Sequence, residues 1–402
     1  MKIVKKVVKC LLCVVLIVVI ALGIYNLFPL ATAMHKIDGI EDSQKKVSEI
    51  EVSDQTKIFA LGEASHGNHE FQDLKLEVFD NLVENDGYRT FVLECDYGEG
   101  LKLNAYIHHE MDINPIDTFS FDIYHSQEML NLIDWMKNYN LVHPDDMVSF
   151  YGMDIQNPAS SIEMIDGYCK KNGIVVDSAI HALLMKNSVY AYNQNEINQI
   201  ESYMHDLQSK ISDETIVYAT NNIINGLEYV RIYQNHPGES NQIRDEYMAN
   251  TVSWIQQHED KPIMVSAHNG HVSKTASYTN MGTLLKQSYG DAYKVIGTDY
   301  FMTLDNISTG NRRMNLFFYS CDTLAYQAKY TQENRYYLDF TQTSTKIQDM
   351  IHSSMPSGSL GEGFDWLMYV LPTRTTMIYT PPVDMYDGMI YVYFVHPIHY
   401  KK

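Results

Sequence analysis

The chain has 402 residues, 45% of them hydrophobic, and a formal net charge of −20. That length gives room for one large domain or two medium ones with a sizeable core, so disorder is not the expectation. So much acid argues against a nucleic-acid partner and reads as a solvated surface that keeps a domain soluble.

From the N-terminus, Lys2, Lys5, Lys6 and Lys9 precede an uncharged apolar run from Cys10 to about Leu30. The run is long enough to cross a hydrocarbon core of roughly 30 Å. Positive charge before it predicts a cytoplasmic start and an outward-facing remainder. Ala31-Thr32-Ala33 matches a signal cleavage site, but the run exceeds the roughly 7 to 15 residues of a signal core. The expectation is therefore an uncleaved, single-pass anchor in the cell membrane over residues 1–34, with a removed signal as the alternative. Residues 35 to 55 are polar and read as a linker with a short helix.

Ile58-Phe59-Ala60-Leu61 is a short apolar run of the sort buried in a parallel sheet. Gly62-Glu63-Ala64-Ser65-His66-Gly67-Asn68-His69-Glu70 follows as a glycine-bracketed turn, and Phe71, Leu74, Val78, Leu82 and Val83 recur at helical spacing until Gly87. Thr90-Phe91-Val92-Leu93 then ends in Glu94, which completes the length of a βαβ unit. Gln127 to Tyr139 reads as a helix, and Met147 to Met153 as a strand closing on Asp154. From about Ser160 to His258 the periodicity is helical: Ile162 to Tyr168, Ile180 to Tyr192, Ile197 to Ile211, Thr215 to Tyr233 and Ile243 to Ile255. Pro262 to Ala267 is a strand closing on His268, with Asn269-Gly270-His271 just beyond. Lys294 to Thr298, Met314 to Tyr319 (an edge or antiparallel strand), Trp366 to Leu371 and Met389 to Val395 are further strand candidates. Tyr391, Tyr393 and Phe394 read as strand packing rather than a ligand grip.

The fold class is α/β: a mostly parallel central sheet flanked by helices, with an inserted all-helical subdomain and an N-terminal transmembrane helix. The boundaries are 35–158 for the first part of the α/β domain, 159–258 for the helical insertion and 259–402 for the second part. Cys10 and Cys13 lie in the apolar run, and Cys95, Cys169 and Cys321 are far apart without CxxC spacing, so a disulfide scaffold is not indicated.

If the four apolar runs are parallel neighbours, Glu63, His66, Glu94, Asp154, His268 and His271 converge outside the carboxyl ends of one sheet. Ester hydrolysis by an activated water needs an imidazole, a carboxylate that orients it and a donor for the oxyanion. His66 and Glu63 meet the first two demands. Backbone N–H groups around Gly67 and Asn68, or a protonated His271, could meet the third. Ser65 lacks a G-x-S-x-G elbow. No cofactor is expected, although the same residues offer the mixed nitrogen and oxygen ligands that zinc or manganese accepts. The pairs His66/His69 and His268/His271 have the wrong spacing for a helical H-E-x-x-H motif.

At these residues the chain resembles the erythromycin esterase family. Gly62 to Gly67 with Glu70, Asp73-Leu74-Lys75 with Phe79, and Phe91 to Glu94 with Gly100 and Asn104 match its early signatures. Tyr151 to Asp154, Arg244-Asp245 with Met248-Ala249, and Ala267 to His271 match later ones. The similarity spans roughly residues 40 to 370. It implies an α/β protein with hydrolytic activity, with His66 as the general base, Glu63 assisting, and Glu94, His268 and His271 lining the cleft. Lys75, Asp154, Glu70 and Arg244 are the candidate substrate-binding residues. The implied partner is a small-molecule ester or macrolide lactone; a cell-envelope ester, turned over by an enzyme or held by a ligand-binding surface protein, is the alternative.

Overall fold

Apolar runs too short for a helix pair edge to edge in a computed structural model that describes residues 2–185, 189–259 and 261–401. Its strands are β1 (Gln44–Lys45), β2 (Ile58–Glu63), β3 (Thr90–Asp96), β4 (Ser149–Asp154), β5 (Ile263–His268), β6 (Tyr293–Ser308), β7 (Arg313–Tyr319), β8 (Arg335–Asp339), β9 (Met355–Gly358), β10 (Met377–Thr380) and β11 (Gly388–Val395). The chain divides into two compact units. The larger holds Glu51–Glu63, Gln72–Gly297 and the C-terminal residues from Ile398; the smaller holds the N-terminal residues to Ile50, Ala64–Phe71 and Thr298–Pro397. Strand β6 runs from one into the other.

In the larger unit the strand order is β6-β2-β5-β3-β4, and every pairing is parallel. The four apolar runs are thus neighbours, as their sequence led one to expect. Strands β2 and β3 are buried along their whole length, which explains why they are continuous apolar runs without alternation. Parallel register brings their carboxyl ends level: Glu63 is opposite His268, and Asp96 opposite Asp154.

Helix α1 (Lys2–Ala33) precedes the sheet, and α2 (His69–Asn85), α3 (Tyr97–Ile107) and α4 (Gln127–Val142) connect its first strands. Phe79 of α2 meets Phe91 of β3 with ring centroids 5.3 Å apart. Helix α3 has no counterpart in the sequence reading. Its glycines hide it, yet they are what permits its packing, because a Cβ on Gly100 would lie 1.9 Å from the backbone nitrogen of Gly152. Asp96 caps it, accepting from Gly98 N while Glu99 reaches back to the Asp96 N–H, a capping box.

Residues 159–259 are helical as the periodicity predicts: α5 (Ala159–Lys171), α6 (Ser178–Leu184), α7 (Gln194–Gln208), α8 (Glu214–Asn235) and α9 (Ser240–Glu259). The expected helix from Ile180 to Tyr192 ends at Leu184, and residues 186–188 of that span lie outside the described residues. Short α10 (Asn269–Val272) and α11 (Met281–Tyr289) follow β5.

In the smaller unit the order is β1-β8-β11-β6, with β7 antiparallel on β6 and β9 antiparallel to β10. Two expectations are corrected there. The segment read as a polar linker is packed, since Ile37, Ile40, Val47 and Ile50 are buried and Gln44 pairs with Leu338; its few apolar residues are spaced irregularly and escape a periodicity test. Trp366–Leu371 is no strand. Leu367–Val370 is a single helical turn, stopped by Pro372, because the run has no strand partner to supply a ladder. Tyr391 is fully buried against Tyr336, with centroids 5.4 Å apart, so it packs the strand. Helix α1 is exposed along its apolar length, and Lys6–Ala33 is long and apolar enough to cross a membrane.

Candidate functional site

Strand ends in the larger unit carry a charge network centred on Glu94. One of its oxygens accepts from the His268 backbone N–H at 2.9 Å, and the other from Arg244 Nη2 at 2.8 Å. Arg244, on α9, also forks onto Asp154: Nε to Oδ1 at 2.9 Å and Nη2 to Oδ2 at 2.7 Å. Such bidentate charge-assisted pairing fixes orientation as well as charge. Asp154 is fully buried and Glu94 nearly so. Burial disfavours the Arg244 cation, but Asp154 and Glu94 outweigh it and hold the guanidinium charged.

The next residue on α9, Asp245, holds the other histidine of the second motif. His271 Nδ1 hydrogen-bonds Asp245 Oδ1, and its Nε2 lies 3.3 Å from Glu94 Oε1 and 3.1 Å from Arg244 Nη1. Burial alone would depress the imidazole's pKa, yet Glu94 and Asp245 raise it to about 10. The two carboxylates thus favour the charged ring, while Arg244 Nη1, which can only donate, faces the same Nε2. Tyr278 adds a hydroxyl on Asp245, and its own ionisation is pushed up by burial and by that carboxylate.

His268 ends β5 and caps α10: its Nδ1 accepts from Gly270 N at 3.1 Å. A backbone donor at Nδ1 fixes the neutral tautomer with hydrogen on Nε2. Its ring centroid is 6.4 Å from that of His271. His271 thus has both ring nitrogens engaged by charged neighbours, and His268 has its Nδ1 engaged by the backbone. Glu63, at the end of β2, is ion-paired with Lys75 of α2, both almost fully buried, and Lys75 also donates to Gln72 Oε1 at 3.0 Å. In the first turn of α3, burial pushes the Glu99 carboxyl up to about 7, but its bonds to Ser120 N and Asp96 N mark a capping role.

His66 and Glu70 belong to the smaller unit. There the turn after β2 is tied down by its own side chains. Ser65 Oγ donates to Asp305 Oδ1 at 2.6 Å and accepts from Gly67 N at 3.3 Å, and Asn68 Nδ2 donates to Thr303 Oγ1 at 2.8 Å. Burial raises the Asp305 carboxyl to about 6, while the Ser65 bond and the charge of nearby His66 pull it back. Glu70 faces His396, accepting from its backbone N at 2.7 Å and from Nδ1 at 2.6 Å. Gly67 is required by close approach, because a Cβ would lie 2.2 Å from Asn306 O.

Glu94, Asp154, Arg244, His268 and His271 are thus joined in one hydrogen-bonded network, Glu63 is ion-paired with Lys75, His66 lies on the turn that follows β2, and Glu70 is in the first turn of α2. Sequence reasoning missed Asp305, Asp245 and Tyr278 as participants. Asp245 carried a signal, standing beside Arg244 in a quoted motif; Asp305 and Tyr278 had none. The zinc or manganese alternative fares poorly in this cluster. Glu94, Asp154 and His271 converge on a guanidinium that already supplies the cation, and an ion there would have to displace Arg244.

A parallel α/β sheet whose strand ends carry acids, imidazoles and one buried arginine puts polar groups where open sheets of this class bind ligands. The family model for erythromycin esterase matches residues 83–394. The chain belongs to the erythromycin esterase family, and so to a family of hydrolases. An erythromycin esterase type II from Escherichia coli is 24% identical over 287 aligned residues, covering 60% of this chain and 68% of that protein. Among solved structures, a succinoglycan biosynthesis protein has a TM-score of 0.77 at 18% identity, covering 92% of this chain and 99% of its own. A protein from Bacillus cereus has a TM-score of 0.74 at 19% identity, covering 90% and 98%. A histidine-to-asparagine mutant of the erythromycin esterase EreC in its open conformation has a TM-score of 0.60 at 16% identity, covering 87% and 92%. At such identities these likenesses show the fold.

Proposed function

We propose that the protein hydrolyses a carboxylic ester or lactone by attack of a water molecule that His66 deprotonates. The observation that carries this reading is that the histidines of the second motif already have ring nitrogens engaged. His268 Nδ1 accepts from a backbone N–H, and the two ring nitrogens of His271 face Asp245, Glu94 and Arg244, so neither residue is placed as His66 is to serve as the base. The likeness to the family supports giving the proton to His66. Glu63, three residues upstream, is assigned to orient it.

The water oxygen bonds to the carbonyl carbon while its proton passes to His66. Backbone N–H groups around Gly67 and Asn68 are assigned to the oxyanion, as preorganised donors act. Collapse breaks the bond to the alcohol oxygen, which takes the proton back from His66, leaving acid and alcohol, or an opened ring where the substrate is a lactone. Glu94 keeps His271 charged and places the Arg244 guanidinium, with Asp154 as its second anchor. Lys75, Arg244, Asp154 and Glu70 are assigned to substrate binding, directly or through the partners they hold. No metal step is needed.

Helix α1 favours an uncleaved anchor with the catalytic part outside the cytoplasm, and hence cell-envelope esters as substrates alongside macrolides. Full-length protein in detergent, given macrolides and simple acyl esters with and without chelator, tests the reading through acid release. His66→Ala and Glu63→Gln should abolish turnover with folding intact. Undiminished turnover in His66→Ala, or dependence on zinc or manganese, would sink it.

A further inference from the structure

Phe317, Trp366, Tyr369, Ile378 and Tyr379 of the smaller unit are exposed by 46%, 63%, 50%, 37% and 51%. Single exposed apolar residues are ordinary, but Trp366, Tyr369, Phe317 and Tyr379 are tied to one another or to the end of α1. The Tyr369 hydroxyl hydrogen-bonds the Phe317 backbone, and its ring stacks on Phe318 at 5.4 Å. Asn26 of α1 donates to Val370 O at 2.9 Å, and Tyr319 donates to Asn26 O at 3.3 Å. Tyr25 lies near enough to Tyr379 to act on its ionisation.

Depth follows from helix geometry. Asn26 is 17 residues beyond Lys9, the last charge before the apolar run, which at about 1.5 Å per residue is about 25 Å along the axis. A hydrocarbon core is roughly 30 Å thick. If the lysines mark one boundary, Asn26 sits just short of the other, and side chains bonded to it must meet the headgroup region. Tryptophan and tyrosine are the residues that favour that layer, because their rings are apolar and their N–H or O–H is not. Exposed Arg374 in the same stretch suits anionic headgroups. Of the nearby acids, Glu362 is paired with Arg313 and Asp365 accepts from Leu367 N at 2.8 Å.

We propose that this aromatic face lies in the headgroup–acyl boundary of the phospholipid leaflet from which α1 emerges, so that the smaller unit rests on the membrane rather than hanging from a tether. The proposal rests on the reading of α1 as a retained anchor. The contact is interfacial, of the kind that amphipathic surfaces make.

The chain has three tryptophans, and Trp135 and Trp254 are half-buried in the larger unit while Trp366 is exposed. Full-length protein in phosphatidylcholine nanodiscs, with bromine at a shallow or a deep acyl position, reads the contact by fluorescence quenching. Shallow bromine should quench the emission more than deep bromine, and Trp366→Phe should lose that lipid-dependent quenching. Equal quenching in wild type and Trp366→Phe, with the chain still resisting alkaline extraction from membranes, overturns the proposal and leaves the anchor standing. Release of the chain by alkaline extraction overturns both. A face covered by a second copy would leave Trp366 unquenched in discs holding a cross-linkable dimer, which also overturns it.

Discussion

Arg244→Ala should destabilise the larger unit by about 3–5 kcal/mol, the usual cost of removing one partner from a buried ion pair. The magnitude comes from what is left behind. Arg244 makes three charge-assisted bonds of 2.7 to 2.9 Å to Asp154 and Glu94, whose side chains are 1% and 6% exposed. Without the guanidinium, two carboxylates remain desolvated beside Asp245. Arg244→Lys keeps a charge but not the fork, and should lose less. Urea unfolding of detergent-solubilised protein, followed by emission of Trp254, is the assay; that residue is on the same helix and stacks on Tyr218 at 4.2 Å. A loss under about 1 kcal/mol, the range of exposed pairs, would refute the reasoning.

The His271 pKa, raised in the fold from 6.5 to about 10, contributes stability that is fully present below 6.5 and is lost as pH rises through about 10; urea midpoints across that window should drift down in wild type and not in His271→Gln. Asp305, raised from 3.8 to about 6 by burial, is most favourable below 3.8 and loses that contribution as pH rises through about 6. Asp305→Asn should therefore match or exceed wild type in melting temperature at neutral pH, while ester turnover falls if the carboxylate steadies His66. Gly67→Ala would press a Cβ to 2.2 Å from Asn306 O and 2.5 Å from Asp305 Oδ1, costing about 1–3 kcal/mol or more by overpacking. By contrast, Gly167→Ala in α5, with nothing within 4 Å, should be neutral or stabilising by roughly 0.5–1 kcal/mol, and melting temperatures compare the two.

Local pattern was enough to determine much of this protein. Continuous apolar runs at Ile58, Thr90, Met147 and Pro262 had to be doubly covered strands, and the helical period of residues 159–259 followed from side-chain spacing alone. The motifs around Glu63, Glu94, Asp154 and His268 marked strand ends because an apolar run that stops at an acid or imidazole is leaving the core. What each of those residues does was decided only by tertiary structure. Arg244 reaches Glu94 across 150 positions, and Ser65 reaches Asp305 across 240; neither pairing has a period or a composition to betray it. Burial then set the charge states. Glu94 and Asp245 raise the His271 pKa only because chain folding packs both carboxylates against the ring, and no reading of residues in line can supply that proximity.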